Sequence, residues 1–248
     1  MEKKSIVVVS DVHAHPFKRF ARTEANGLNS RLNYTLRCLR EVGNVAKDID
    51  AGMIWVAGDL FDAGNHTPVL TLNAVYQEVE RWSSLNIPIV IVAGNHDFAV
   101  RSGDSTAIHY LRNIPNTSIV EEPEVFPMGD WNIHAIPYRD EMKEEWFEKD
   151  CPDTPSLCIA HGWVQGSALR KGYVPESDEA HEGKTGGKIP LHWLEPHTFS
   201  AVGHIHHAQK LAPNVLVPGM PYQQHPHESE EERGIWVVEF ARDEEWEL

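Results

Sequence analysis

Five short polar blocks carry the side chains that could do chemistry: Asp11-Val12-His13, Gly58-Asp59-Leu60-Phe61-Asp62, Gly94-Asn95-His96-Asp97, Ala160-His161-Gly162 and Gly203-His204-Ile205-His206. Their donors are carboxylates, imidazoles and one carboxamide, with no thiolate. That mixture suits Mn²⁺, Fe or Zn²⁺ rather than a soft-metal site. In Asp11-x-His13 and His204-x-His206 the paired side chains sit at i and i+2. On an extended backbone such pairs face the same side, so two ligands can reach one locus without a helix. Three donors per ion plus a shared carboxylate would make a two-metal site. Such a pair, about 3.5–4 Å apart, clamps the attacking and leaving oxygens of a phosphoryl displacement. Each block alone would be ordinary strand-end polarity; the inference rests on all five together.

The elements before each block must position it. Residues 6–9, 53–57 and 87–92 are continuous apolar runs, each ending at one of the first three blocks. Between them, residues 29–48 repeat apolar positions at three and four (Leu32, Leu36, Leu39, Val42, Val45), which predicts a helix. Residues 68–82 also read as helix, with Pro68 near the first turn. Strands alternating with helices imply a parallel sheet buried on both faces. Ligands of such sheets bind beyond the carboxyl ends of the strands. Further short strands are expected at 117–120, 131–136, 157–160, 199–202, 215–217 and 234–240, and a helix at 140–149. Residues 162–190 read as a long glycine-rich charged loop, of a kind that is usually functional or mobile. No repeat or linker divides the sequence, so 1–248 reads as one domain without a separate capping domain.

Composition excludes several classes. Hydrophobic residues make up 41 % and charged residues 24 %, too apolar for a disordered chain. No apolar run approaches the length of a membrane-spanning helix, and the four residues at 6–9 are too short for a signal-peptide core. Three cysteines without C-x-x-C spacing argue against a disulfide scaffold or a cysteine zinc site and fit a reducing cytoplasm. The formal charge is −15, of which residues 228–248 carry −7 through nine acids and two bases. An acidic chain gets no general electrostatic help in binding nucleic acid, which counts against a stand-alone DNA-binding module. A nuclease is not excluded, because bound cations reverse the charge of a site locally.

Taken in order over residues 11–206, the set D-x-H, G-D-x-x-D, G-N-H-D, H-G and G-H-x-H resembles the calcineurin-like metallophosphoesterase superfamily. The resemblance implies an α/β fold, a four-layer α/β/β/α sandwich of two mixed sheets flanked by helices. It implies that Asp11, His13 and His206 bind a first metal, that Asp59 bridges both, and that Asn95, His161 and His204 complete the second. His96 then matches the catalytic histidine, which protonates the leaving oxygen, with a metal-activated water as nucleophile. Asp97 would orient His96 from behind, and Asp62 would lie in the same supporting layer.

A narrower resemblance lies downstream. Ala160-His161-Gly162-Trp163-Val164-Gln165-Gly166-Ser167, Gly186-Gly187-Lys188-Ile189-Pro190 and Val217-Pro218-Gly219-Met220-Pro221-Tyr222 are similar to nuclease subunits of the SbcD type. Those subunits cut DNA with Mn²⁺ and pair with a coiled-coil ATPase. The implied cofactors are two divalent ions, Mn²⁺ first, with Mg²⁺, Fe or Zn²⁺ as alternatives. The implied partners are DNA as substrate, an SbcC-type ATPase and a second copy in a homodimer, with no membrane. Three departures stand: no glycine follows His13, Met220 replaces a usual serine, and the chain stops about where capping and ATPase-binding segments would begin. The second reading is a phosphodiesterase or phosphatase for small molecules such as cyclic nucleotides, which would use the same centre. A non-enzymatic scaffold would lack a ligand or the catalytic histidine, and none is missing here.

Other residues carry two readings each. His15 could reach substrate or cap a turn before Pro16. Trp163 could stack on a base or pack beside the site. Arg139 could contact phosphate or pair with Asp140 or Glu141. His225 and His227 lie near the site by analogy only. His66, His109, His134, His181, His192 and His197 read as surface or core. The segments 228–232 and 243–247 read as solvated acidic surface.

Overall fold

A computed structural model describes residues 4–100, 105–149, 155–170, 173–174, 186–223, 233–241 and 244–247. The first sheet holds β1 (Lys4–Val9), β2 (Met53–Ala57), β3 (Ile89–Val92) and β4 (Thr117–Val120), parallel in that order. The second holds β6 (Trp131–Ile136), β7 (Ser156–His161), β10 (Phe199–Gly203) and β12 (Val215–Val217), also parallel. Antiparallel strands extend both. β13 (Trp236–Ala241) and β14 (Glu244–Glu247) flank β1, while β5 (Glu124–Met128) and β11 (Gln209–Ala212) edge the second sheet. A small parallel pair, β8 (Trp163–Val164) and β9 (Lys188–Ile189), stands apart from both.

The apolar runs are continuous because both faces of each strand are covered. From β1 to β3, Val7, Val9, Ile54, Val56, Ile89 and Ile91 face helices α1 (Ser30–Asp48) and α2 (Val69–Ser83). The alternate residues Ile6, Val8, Trp55, Val90 and Val92 face Ile133, Leu157, Ile159, Phe199 and Ala201 of the other sheet. Asn29 starts α1 by accepting the backbone N–H groups of Arg31 and Leu32. The far face of the second sheet meets a thinner layer: α3 (Leu191–Leu194), β8, β9 and one 3₁₀ turn at Glu144–Trp146. The result is the four-layer α/β sandwich of two mixed sheets. No helix among the described residues is long and apolar enough to cross a membrane.

Two expectations need correction, and a third segment gains a strand. Residues 140–149 form only that 3₁₀ turn. A helix there would set Glu141 against Glu145 and Glu144 against Glu148 at i,i+4, which is unfavourable. Residues 244–247, read as solvated acidic surface, form a strand that pairs with β13. A charged strand is a usual way to finish a sheet edge. The loop 162–190 contains two short strands. Residues 175–185 and 224–232, with His181, His225 and His227, lie outside the described residues.

Candidate metal centre

The carboxyl ends of β1, β2 and β3 and those of β7 and β10 meet at one rim. Beyond their strands the first two segments stay paired: Asp11 N–H to Gly58 O at 3.1 Å, His13 N–H to Asp59 O at 2.9 Å, Ala14 N–H to Leu60 O at 2.9 Å. The i,i+2 argument from an extended backbone does not hold here. Asp11, His13, Asp59 and His204 have φ of 52°, 46°, 51° and 107°. Their side chains converge through left-handed turns, not through the pleat. Such conformations are strained for non-glycine residues and persist where surrounding contacts impose them, most often at functional sites. One such contact crosses between the sheets, from His204 N–H to Asp11 Oδ1 at 3.0 Å.

Two glycines make room. Gly58 has φ +84°, and a Cβ there would lie 2.1 Å from His161 Nδ1. At Gly94 a Cβ would lie 2.2 Å from Asp59 Oδ1 and 2.3 Å from its backbone nitrogen. The glycine of each motif therefore admits the neighbouring block.

All seven expected donors come together. Asp11, His13 and His206 form one group and Asp59, His161 and His204 another, each with ligand atoms mutually within 4.8 Å. Asn95 Oδ1 lies 2.8 Å from His204 Nδ1 and 3.2 Å from His161 Nε2. Asp59 Oδ2 stands between the groups, 3.3 Å from His161 Nε2 and 3.7 Å from His13 Nε2. A third group joins His13, Asp62 and His96.

These residues fit cations on their own geometry. His161 Nδ1 donates to Ala57 O at 2.8 Å, which fixes its tautomer and leaves Nε2 facing two oxygen acceptors. The Nε2 atoms of His13 and His206 are 3.1 Å apart. At that separation a proton or a cation must lie between them. The ionisation of the cluster points the same way. Burial works against charge on His161, yet Asp59 raises its pKa to about 9. Burial likewise works against charge on Asp59, yet His161 and His13 hold its carboxyl well below the usual range. Burial opposes charge on His13 too, but Asp62, Asp59 and Asp11 raise its pKa. His204, buried and beside His161, is pushed down to about 4.

His96 is exposed at the rim. Its Nδ1 donates to Asp62 O at 2.7 Å, so Nε2 points away from the protein backbone that holds the ring. Its own N–H donates to Asp59 Oδ1 at 2.8 Å, and its ring meets His13 edge-on at 4.7 Å. Among the described residues the His96 ring is held by Asp62 O and not by Asp97, which corrects the expected orienting role. Its buried carboxylate instead accepts from the N–H groups of Phe61 at 2.8 Å, Gly94 at 2.9 Å and Leu60 at 3.3 Å. It clips the loop after β2 to the loop after β3. Burial first, and Asp59 second, raise its pKa to about 7. Asp62 Oδ1 lies 3.3 Å from His13 Nδ1.

Supporting residues that the motifs did not single out for this work complete the rim. Ser10 Oγ donates to Asp11 Oδ2 at 2.5 Å and lies 2.9 Å from Ala57 O. Tyr222 Oη donates to Val12 O at 2.6 Å and accepts from Thr35 Oγ1 at 3.0 Å. The Tyr138 ring lies over His204 at 5.8 Å. The only sequence signal among these was the 217–222 motif, which contains Tyr222. Trp163 is buried in the outer core, which favours packing over base stacking. Arg139 pairs with Glu122 at 2.5 Å rather than with Asp140 or Glu141. His134 and His197 meet edge-on and are both buried.

Two mixed sheets share a rim of carboxylates, imidazoles and an amide whose donors suit a pair of cations. A sequence profile of the calcineurin-like phosphoesterases matches residues 4–208, and the chain belongs to that family. No curated protein matches it in sequence. Among solved structures it is similar to a dimetal phosphatase from Danio rerio, at 10 % identity and TM-score 0.56, over 97 % of this chain and 93 % of that one. At such identity the likeness speaks for the fold alone. Looser overlays are a protein of Thermus thermophilus (14 %, TM-score 0.46, 88 % and 90 % covered) and the nuclease MPE of Pseudomonas putida (16 %, 0.32, 68 % and 66 %).

Proposed function

We propose that this phosphoesterase cleaves phosphodiester bonds of DNA, as an exonuclease or endonuclease of the SbcD type. The observation that carries the hydrolytic reading is Asp59, whose Oδ2 faces donors of both groups at 3.3 and 3.7 Å. The substrate reading is supported by the motif runs at 160–167, 186–190 and 217–222. By the same resemblance the preferred ion is Mn²⁺, the partner an SbcC-type ATPase, the assembly a homodimer and the compartment the cytoplasm.

Asp11, His13 and His206 would hold one ion, and Asp59, Asn95, His161 and His204 the other. The ions would supply Lewis-acid polarisation of the phosphoryl oxygens and a water of lowered pKa. The chain's own residues do the rest. His161 keeps Nε2 on the site because Nδ1 is committed to Ala57 O. His96, held through Nδ1 by Asp62 O, presents Nε2 outward, where a proton can pass to the leaving oxygen. Asp97 keeps the Asp59 and Asn95 loops in register.

The test is cleavage of end-labelled single- and double-stranded DNA in Mn²⁺, with a cyclic nucleotide in parallel, by wild type and Asn95→Ala. DNA cut by wild type and spared by the variant is the expected result. Cyclic-nucleotide turnover with DNA intact would overturn the substrate reading and leave the small-molecule alternative.

A further inference from the structure

Cationic charge is concentrated in one stretch of this acidic chain. Between His15 and Arg40 stand Lys18, Arg19, Arg22, Arg31, Arg37 and Arg40 against the single acid Glu24, a local charge of +5 on a chain of −15. Arg40 is committed to Glu78 at 2.6 Å, and Arg37 leans on Glu24 at 3.7 Å. Lys18, Arg19 and Arg22 are exposed, and among the described residues they form no ion pair. Aromatic rings are interleaved with them. Phe20 is 80 % exposed with the Arg19 guanidinium 4.9 Å from its centre, Phe17 has Arg31 at 4.9 Å, and Tyr34 is 51 % exposed.

The strip is fixed in place. Thr23 bridges to Asn29, Ser30 N–H donates to Arg22 O at 2.8 Å, and Asn29 Nδ2 donates to Phe17 O at 3.0 Å. Tyr34 packs edge-on against Tyr222, whose hydroxyl holds Val12 O between Asp11 and His13. The strip therefore follows closely on His13 in the chain and is tied to the same turn.

We infer that Lys18, Arg19, Phe20 and Arg22 bind the flanking strand of a nucleic acid whose scissile phosphodiester sits at the metal centre. This rests on the nuclease reading above. Cations track the phosphates, and exposed rings take the faces of unstacked bases without sequence preference. A small phosphodiester would have no contact to make there. Exposed cations and a phenylalanine also suit an anionic membrane; the tie through Tyr34 and Tyr222 to the turn carrying Asp11 and His13 favours the nucleic acid.

The probe is a fluorescein-labelled oligothymidylate of about 20 nucleotides, followed by anisotropy with chelator present so that nothing is cut. The triple variant Lys18→Gln, Arg19→Gln, Arg22→Gln should lower the slope of log K against log salt by about 2, since each single-strand phosphate contributes about 0.7. Phe20→Ala should weaken binding about tenfold. All four residues are exposed, so thermal midpoints should not move. Hydrolysis of bis(p-nitrophenyl) phosphate in Mn²⁺ should be unchanged in both variants. Wild-type binding and slope in the variants would overturn the inference while leaving the hydrolase intact. Absence of any phosphodiester hydrolysis by wild type would instead overturn the function proposed above. Binding to phosphatidylserine vesicles that the triple variant abolishes, with no binding to the oligonucleotide, would reassign the strip to a membrane surface.

Discussion

Gly58→Ala tests how the site is built. The φ of +84° at Gly58 costs an L-residue about 1–2 kcal/mol. The added Cβ would also sit 2.1 Å from His161 Nδ1, so the ring must move and release its bond to Ala57 O. The buried Nδ1–H of His161, left without its acceptor, costs about 1–3 kcal/mol more. The sum, about 2–5 kcal/mol, is large beside a typical domain stability of about 5–15 kcal/mol but need not unfold the chain. Displacing His161 should also weaken ion binding about 10–100-fold, as losing a ligand's outer partner does. Gly166→Ala is the control. It has φ +91° with nothing within 4 Å of an added methyl, so it isolates the backbone cost. Urea unfolding in chelator gives the stabilities, and titration calorimetry with Mn²⁺ gives affinities and stoichiometry. Gly166→Ala should lose only the first 1–2 kcal/mol or so and bind ions normally. Equal losses in the two variants, or wild-type Mn²⁺ binding in Gly58→Ala, would refute the close-approach argument.

Three further outcomes follow from contacts already described. His96→Ala should lower phosphodiester hydrolysis about 10²–10⁴-fold with Mn²⁺ stoichiometry unchanged, and a matching fall in metal content would make His96 a ligand. His197 is 1 % exposed, and burial pushes its pKa down to about 3, so it stays neutral in the fold while the unfolded chain takes up a proton below about 6.5. Its contribution is therefore intact above that pH and lost on acidification, by about 2 kcal/mol at pH 5; His197→Gln should flatten that part of a urea-measured stability profile, and an unchanged slope would show the pair to be charged. Tyr222→Phe leaves the buried Val12 carbonyl without its donor and should cost about 1–3 kcal/mol in chemical denaturation; wild-type stability would show that bond to contribute nothing.

The parallel core was legible because Ile6 to Val9, Met53 to Ala57 and Ile89 to Val92 are continuous apolar runs, a pattern only a doubly covered sheet requires. The start of α1 was legible from Asn29, whose side chain caps it. The seven donors could be named from type and order alone. Their convergence could not be derived correctly, since left-handed φ values at Asp11, His13, Asp59 and His204 depend on contacts from distant segments. The partner of Asp97 was hidden for the same reason: it reaches backbone amides of two loops brought close only by the glycine at 94. Edge strands β5, β11 and β14 were missed because their residues need not alternate or be apolar, and β5 even contains Pro127.

The contacts that cross the rim make the donor set a shared possession of two halves. Asp11, His13, Asp59 and Asn95 belong to the first sheet's loops, and His161, His204 and His206 to the second's. Neither half holds the whole donor set by itself, so ion occupancy would report whether the halves have docked. A bound ion would act as a concentration-dependent fastener of the seam, worth about 2.7 kcal/mol at a hundred times its dissociation constant. Withdrawing the ions would then remove that fastening and the chemistry together, and leave the apolar core between the sheets to hold them.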